Sequence, residues 1–167
     1  MNNVFKRWLM PWVAGYNEAL FWKLKEKCRN ARNPLIKAFY LAWYNRESVR
    51  YGAYVGYNAE IKSIPELPHS LFGLFISDLS VIGENCVIFH HVTIGSNSIR
   101  DSKGYGAPRI GNNCLIGAGA KIIGKVEIGN NVRIGANCVV SKDIPDNCTV
   151  VMQSPRIIER DSNTICY

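Results

Sequence analysis

Between residues 55 and 144 an aliphatic side chain recurs every six positions. It stands at Val55, Ile61 and Leu67, then at Ile76, Ile82, Ile88 and Ile94. It resumes at Ile110, Ile116, Ile122, Ile128, Ile134 and Val140. Within each block the step is constant. Two slips separate the blocks, a short insertion near Ser70–Gly73 and the stretch Gly95–Arg109. A helix repeats near 3.6 residues and a strand near 2, so a step of six is neither. Six residues make one short strand, roughly 20 Å at about 3.3 Å per residue. The aliphatic points inward, and by alternation so does the small residue four positions later. The intervening Gly, Asn and Asp suit corners with unusual backbone angles. Such strands bury little alone and must stack. The pattern therefore predicts a β-solenoid, a prism with three faces per coil and about four coils in all.

The first fifty residues follow another pattern. Asn17–Arg29 and Pro34–Arg46 have helical composition and are split by "NARNP". Asn33 is a plausible N-cap ahead of Pro34 at the first helical position. The expected organisation is a basic, tryptophan-rich helical segment over 1–50, a solenoid over 51–160 with an extruded loop at 95–109, and a tail at 161–167. A solenoid leaves an open strand edge that invites aggregation, and two helices could cover it.

Length and charge refine this picture. The chain of 167 residues suits one domain. Its formal net charge of +7 is unevenly placed. Residues 1–50 hold ten Lys/Arg against three Asp/Glu, and the remainder is balanced. All four tryptophans also lie there. Such a segment suits solenoid capping and assembly, or peripheral contact with an anionic membrane face. No nucleic-acid-binding motif accompanies the charge, so nucleic acid is not an expected partner. Cys86, Cys114 and Cys138 occupy the small buried slot that Ala120, Val126 and Val132 fill elsewhere. They read as reduced, core-forming thiols, which favours the cytoplasm. No Cys-x-x-Cys pair points to zinc. Pro11 interrupts the only signal-like stretch, and Trp8–Asn17 is too short to span a bilayer.

The run "IGENCVIFHHVTIG…APRIGNNCLIGAGAKIIGKVEIGNNVRIGANCVVSKDIPDN" resembles the hexapeptide-repeat acyltransferases. Within them it is most similar to serine acetyltransferase-like enzymes, including those that O-acetylate sugars of bacterial surface polysaccharides. The resemblance covers about residues 55–160. It implies a mainly β fold, a left-handed parallel β-helix, assembled as a homotrimer. It also implies acetyl-CoA as co-substrate, held in grooves between subunits, with no metal. The family element D-H-x-x-G-I-V-V resembles "PHSLFGLFI". Allowing one extra residue, the catalytic histidine falls on His69 and its aspartate neighbour on Pro68. The family element D-R-H-P corresponds to "YGAP", so its arginine and histidine become Gly106 and Ala107. In serine acetyltransferases those groups help to hold the amino acid, so their loss weakens serine as the acceptor. The resemblance assigns the coenzyme's pantetheine arm to backbone at Gly117, Ala118, Gly135 and Ala136. It assigns its phosphates to Lys142 and Arg156.

Acetyl transfer from a thioester needs a base for the attacking hydroxyl and donors for the tetrahedral oxyanion. Histidine, with a reference pKa of about 6.5, suits the first task. A corner backbone N–H suits the second. His69 lies two residues after Leu67 and His90 two after Ile88, both on the third face. If the Ser70–Gly73 insertion is a local bulge, their backbones are about 5 Å apart on successive coils. His91 is expected to point the other way and to be structural. A three-histidine zinc site, as in β-helical carbonic anhydrases, would need all three rings to converge. The loop 95–109 is expected to wall the acceptor pocket, from the same or a neighbouring subunit. The sequence therefore predicts an acetyl-CoA-dependent O-acetyltransferase with His69 as base and His90 assisting. A sugar hydroxyl is the first acceptor reading and L-serine the alternative. A β-helical scaffold or binding module is the non-enzymatic reading.

Overall fold

The structure is a computed structural model that describes residues 17–155 and 157. The aliphatic step becomes a three-sided parallel β-helix. Face A stacks strands at Tyr54–Val55, Phe75–Ile76, Thr93–Gly95, Lys121–Ile123 and Val139–Val140. Face B stacks Glu60–Ile61, Val81–Ile82, Arg109–Ile110 and Glu127–Ile128. Face C stacks Val87–Ile88, Leu115–Ile116, Arg133–Ile134 and Thr149–Val150, and Glu66 adds a bridge to Val87. All strand pairs are parallel and in register, so Ile76 sits on Ile94 and Ile94 on Ile122.

The registered aliphatics form the core. Ile76, Ile82, Ile88, Ile94, Ile116 and Ile122 are completely buried. Burying each contributes about 1.5–3 kcal/mol. Cys86, Cys114 and Cys138 are buried free thiols in the small slot. The contact with the Cys114 thiol first, then burial, raises the Cys86 thiol and makes it the weaker acid of that pair.

Among the described residues two helices precede the solenoid, α1 (Glu18–Asn30) and α2 (Pro34–Arg50). Asn17 Oδ1 accepts from Leu20 N, and Asn33 Oδ1 accepts from Leu35 N and Ile36 N, so both N-caps are side-chain amides. α2 runs four residues past the Arg46 boundary that composition indicates. Tyr44, Glu47 and Ser48 are buried, and that packing carries the helix to Tyr51.

The helices close the first coil chemically as well as sterically. The amides of that coil donate downward, as in Gly56 N to Ile76 O and Glu60 N to Ser80 O. Its own carbonyls have no coil above them. Tyr44 Oη donates to Val55 O, and Lys25 Nζ donates to Ala59 O at 2.7 Å and to Tyr57 O at 3.4 Å. Side-chain donors thus replace a missing strand. Burial, aided by repulsion from Arg29, lowers the Lys25 pKa. Burial likewise pushes the Tyr44 hydroxyl well above its ordinary range.

Candidate functional site

The three corners of the prism differ in chemistry. The corner from face B to face C is an amide ladder. Asn112 Oδ1 accepts from Glu84 N, Asn130 Oδ1 from Asn112 N, and Asp146 Oδ1 from Asn130 N, all within 2.6–2.9 Å. The next residue in each coil, Asn85, Asn113, Asn131 and Asn147, takes a left-handed φ of 54–60°. Asparagine tolerates that region better than most residues.

The corner from face C to face A has the same backbone and other side chains. Gly119 N donates to His90 O, Asn137 N to Ala118 O, and His91 N to Phe72 O. Phe72, His90, Ala118 and Ala136 therefore stack in one column. The amides of His90, Ala118 and Ala136 occupy the position that the Asn ladder caps at the other corner. Here they make no hydrogen bond among the described residues. Alanine and histidine offer no short side-chain acceptor to the coil above. The result is a row of free N–H donors about 5 Å apart.

The histidines crown this row. The ring centroids of His69 and His90 are 4.8 Å apart at 82°. His69 is exposed, with Phe89 at 5.8 Å on its other side. His90 is half-buried, and its Nδ1 is enclosed without a hydrogen-bond partner among the described residues. The three extra residues near Ser70–Gly73 form the bulge that brings His69 over His90.

His91 corrects the sequence expectation. Its ring lies 5.3 Å from that of His90 and does not turn away. Alternation assumes extended backbone, and His91 has φ of +57°. Its ring rests on Gly73, where a Cβ would lie 2.1 Å from His91 Nδ1. Gly73 is itself left-handed at φ +66°, so it serves both shape and space. Neither Gly73 nor the contact of Phe89 with His69 was singled out from the sequence. Among the described residues no group of three or more His, Cys, Asp or Glu side chains is placed to hold a metal.

Other expected site residues are separated. Gly117, Ala118, Gly135 and Ala136 line the histidine corner, but Lys142 follows Val140 at the corner from face A to face B. The loop after Gly95 leaves from that same second corner. It does not wall the histidines of its own chain. Nor is it thrown free: Asn97 bridges Gly106, and Gly104 O accepts from Lys125 N. Gly106 packs against the Lys125 stem. Arg156 lies outside the described residues.

A row of open amides below a histidine pair can hold carbonyl or phosphate oxygens and place a hydroxyl beside a base. Known proteins resemble the chain in sequence and fold. Residues 107–142 match the bacterial transferase hexapeptide model of six repeats. The chain is 42% identical over 88 residues to serine acetyltransferase of Synechococcus elongatus, covering 53% of this chain and 35% of that protein. It is 40% identical over 128 residues to serine acetyltransferase 5 of Arabidopsis thaliana, covering 77% and 39%. Soybean serine acetyltransferase complexed with serine superposes with a TM-score of 0.65 at 31% identity, covering 81% of this chain and 53% of that one. The fold and repeat thus define a left-handed β-helix of the hexapeptide transferase type. Within that class the chain is similar to serine acetyltransferases. It spans a third to about half of these relatives' length.

Proposed function

We propose that the protein is an acetyl-CoA-dependent O-acetyltransferase acting by direct transfer. The observation that carries this reading is the corner where free amides of His90, Ala118 and Ala136 run beneath paired histidines. In this reading His69 takes the proton from an acceptor hydroxyl. The hydroxyl oxygen attacks the thioester carbonyl, and the C–S bond breaks to release coenzyme A thiolate. The His69 proton then passes to that thiolate. His90 positions His69 in place of the absent aspartate. The corner amide at His90 faces the oxyanion, and those at Ala118 and Ala136 face the pantetheine arm.

The relatives favour L-serine as the acceptor over the sugar hydroxyl first expected. One observation keeps the sugar as a second reading. Gly106 and Ala107 stand where serine acetyltransferases carry Arg and His, and Gly106 is pressed on Lys125. We also propose a homotrimer. Outward-facing Leu115 on face C and Phe75 and Val139 on face A flank the histidine corner and are exposed. A neighbouring copy against them would form a groove and bring in its own Lys142 and loop 95–109. The free core cysteines support a cytoplasmic setting. No helix among the described residues is long and apolar enough to cross a membrane.

The test is thiol release from acetyl-CoA over a panel of L-serine, simple sugars and nucleotide sugars. Release with serine supports the first reading, and release with a sugar alone supports the second. No release with any acceptor, and no acetyl-CoA binding, would return the scaffold reading.

A further inference from the structure

The helix α2 is apolar on two opposite sides. Tyr44 and Ser48 face the core. Leu35, Ile36, Phe39 and Trp43 face solvent, 80%, 51%, 62% and 40% exposed. At 100° per residue these four and Arg46 share a sector of about 100°. The Phe39 and Trp43 rings pack edge to face at 6.1 Å, so the stripe is continuous. A contiguous exposed apolar stripe on a folded surface marks a contact site.

Charge selects the occupant. Residues 17–50 carry eight Lys/Arg against three Glu, and one of those, Glu47, pairs with Arg50 at 3.3 Å. Arg32, just ahead of α2, and Arg46 are exposed and make no ion pair among the described residues. A second copy docked through this face would oppose like charges. A single convex helix also offers no pocket to a folded partner. A lipid surface needs no shape match, and acidic headgroups answer the basic excess.

We propose that the solvent face of α2 is a docking surface for an anionic membrane. Leu35, Ile36, Phe39 and Trp43 enter the headgroup boundary, while Arg32 and Arg46 meet acidic headgroups. The proposal does not depend on acetyl transfer. Binding through one short helix is weak and reversible, and salt screens its electrostatic part.

The experiment is flotation of the full chain with phosphatidylcholine vesicles, with and without phosphatidylglycerol. The chain floats with the anionic vesicles only, and less at high salt. Phe39→Glu/Trp43→Glu weakens binding about tenfold or more, and Arg32→Gln/Arg46→Gln weakens it by a similar factor. Both variants keep the wild-type circular dichroism, and their thiol release from acetyl-CoA in solution matches wild type. Failure to float with anionic vesicles overturns the proposal. So does flotation that survives the double glutamate variant. A glutamate variant that lowers the sedimenting mass and leaves flotation intact would make this face an interface between copies, and also overturns it.

Discussion

Two corners of one prism share a backbone and differ in what meets their amides. At the corner between faces B and C, an asparagine or aspartate on each coil caps the N–H of the coil above. At the corner between faces C and A the same N–H groups of His90, Ala118 and Ala136 stay open. The first corner spends its polar side chains on itself. The second leaves donors for a ligand and sets histidines above them. In the proposed reading the contrast separates stability from chemistry on a scaffold where each repeat is otherwise alike.

The largest break in that comparison comes from His69. His69→Ala should lower kcat/KM for acetyl transfer by about 10²–10⁴ with the fold retained. A His69→Ala variant with full activity would remove His69 as the base. Gly73→Ala comes next. Its Cβ meets the His91 ring at 2.1 Å and its φ of +66° is strained for alanine. The expected cost is about 2 kcal/mol in urea unfolding, with loss of transferase activity as the imidazoles shift. Asn131→Ala sharpens the contrast from the other corner. It removes the Asn131 Nδ2 to Asn147 Oδ1 bond of 2.8 Å and places alanine at φ +54°. Stability should fall by about 1–2 kcal/mol, with kcat/KM per folded molecule within about twofold of wild type. Loss of activity in that variant would mean that the corners are not separable.

The smallest effect is alkaline. Tyr51 abuts the histidine corner through Phe72, with ring centroids at 5.6 Å, and burial pushes its hydroxyl up to about 12. The Tyr54 hydroxyl donates to Asp78 Oδ2 at 2.6 Å. That bond first, then burial, lifts it to about 12. Both folded values lie above the ordinary 10, so their stabilisation is complete below pH 10 and is lost as pH rises towards 12. Urea midpoints should decline over that window, less so in Tyr54→Phe. The amide ladder has no amide side chain that alkali titrates there.

Much of this was legible in the six-residue step. It placed the faces, the buried isoleucines and the cysteine slots, and it put His69 and His90 on one corner of successive coils. The N-cap at Asn33 was legible from the proline that follows it. His91 was not, because period-2 alternation fails at a left-handed residue. The open amides were not singled out, since they emerge only when two corners are compared bond by bond. Counting from Ile94 and Val140 places loop 95–109 and Lys142 away from the histidines. The loop was expected at the acceptor pocket because it breaks the repeat, and Lys142 at the coenzyme phosphates because of the family resemblance. In the proposed trimer a neighbouring copy would bring both to the histidines. The end of α2 was misjudged because Tyr44 and Ser48, buried by tertiary packing, outweigh local composition.

The most direct test of the corner contrast transplants the ladder. Asn at position 118 would present its Oδ1 to His90 N as Asn112 does to Glu84 N. Acetyl-CoA titration by calorimetry, wild type against Ala118→Asn, is the measurement. Binding weakened by about tenfold or more, with a melting temperature equal to or above wild type, is the predicted result. Undiminished acetyl-CoA affinity in a well-folded Ala118→Asn variant would contradict the claim that open corner amides hold the coenzyme.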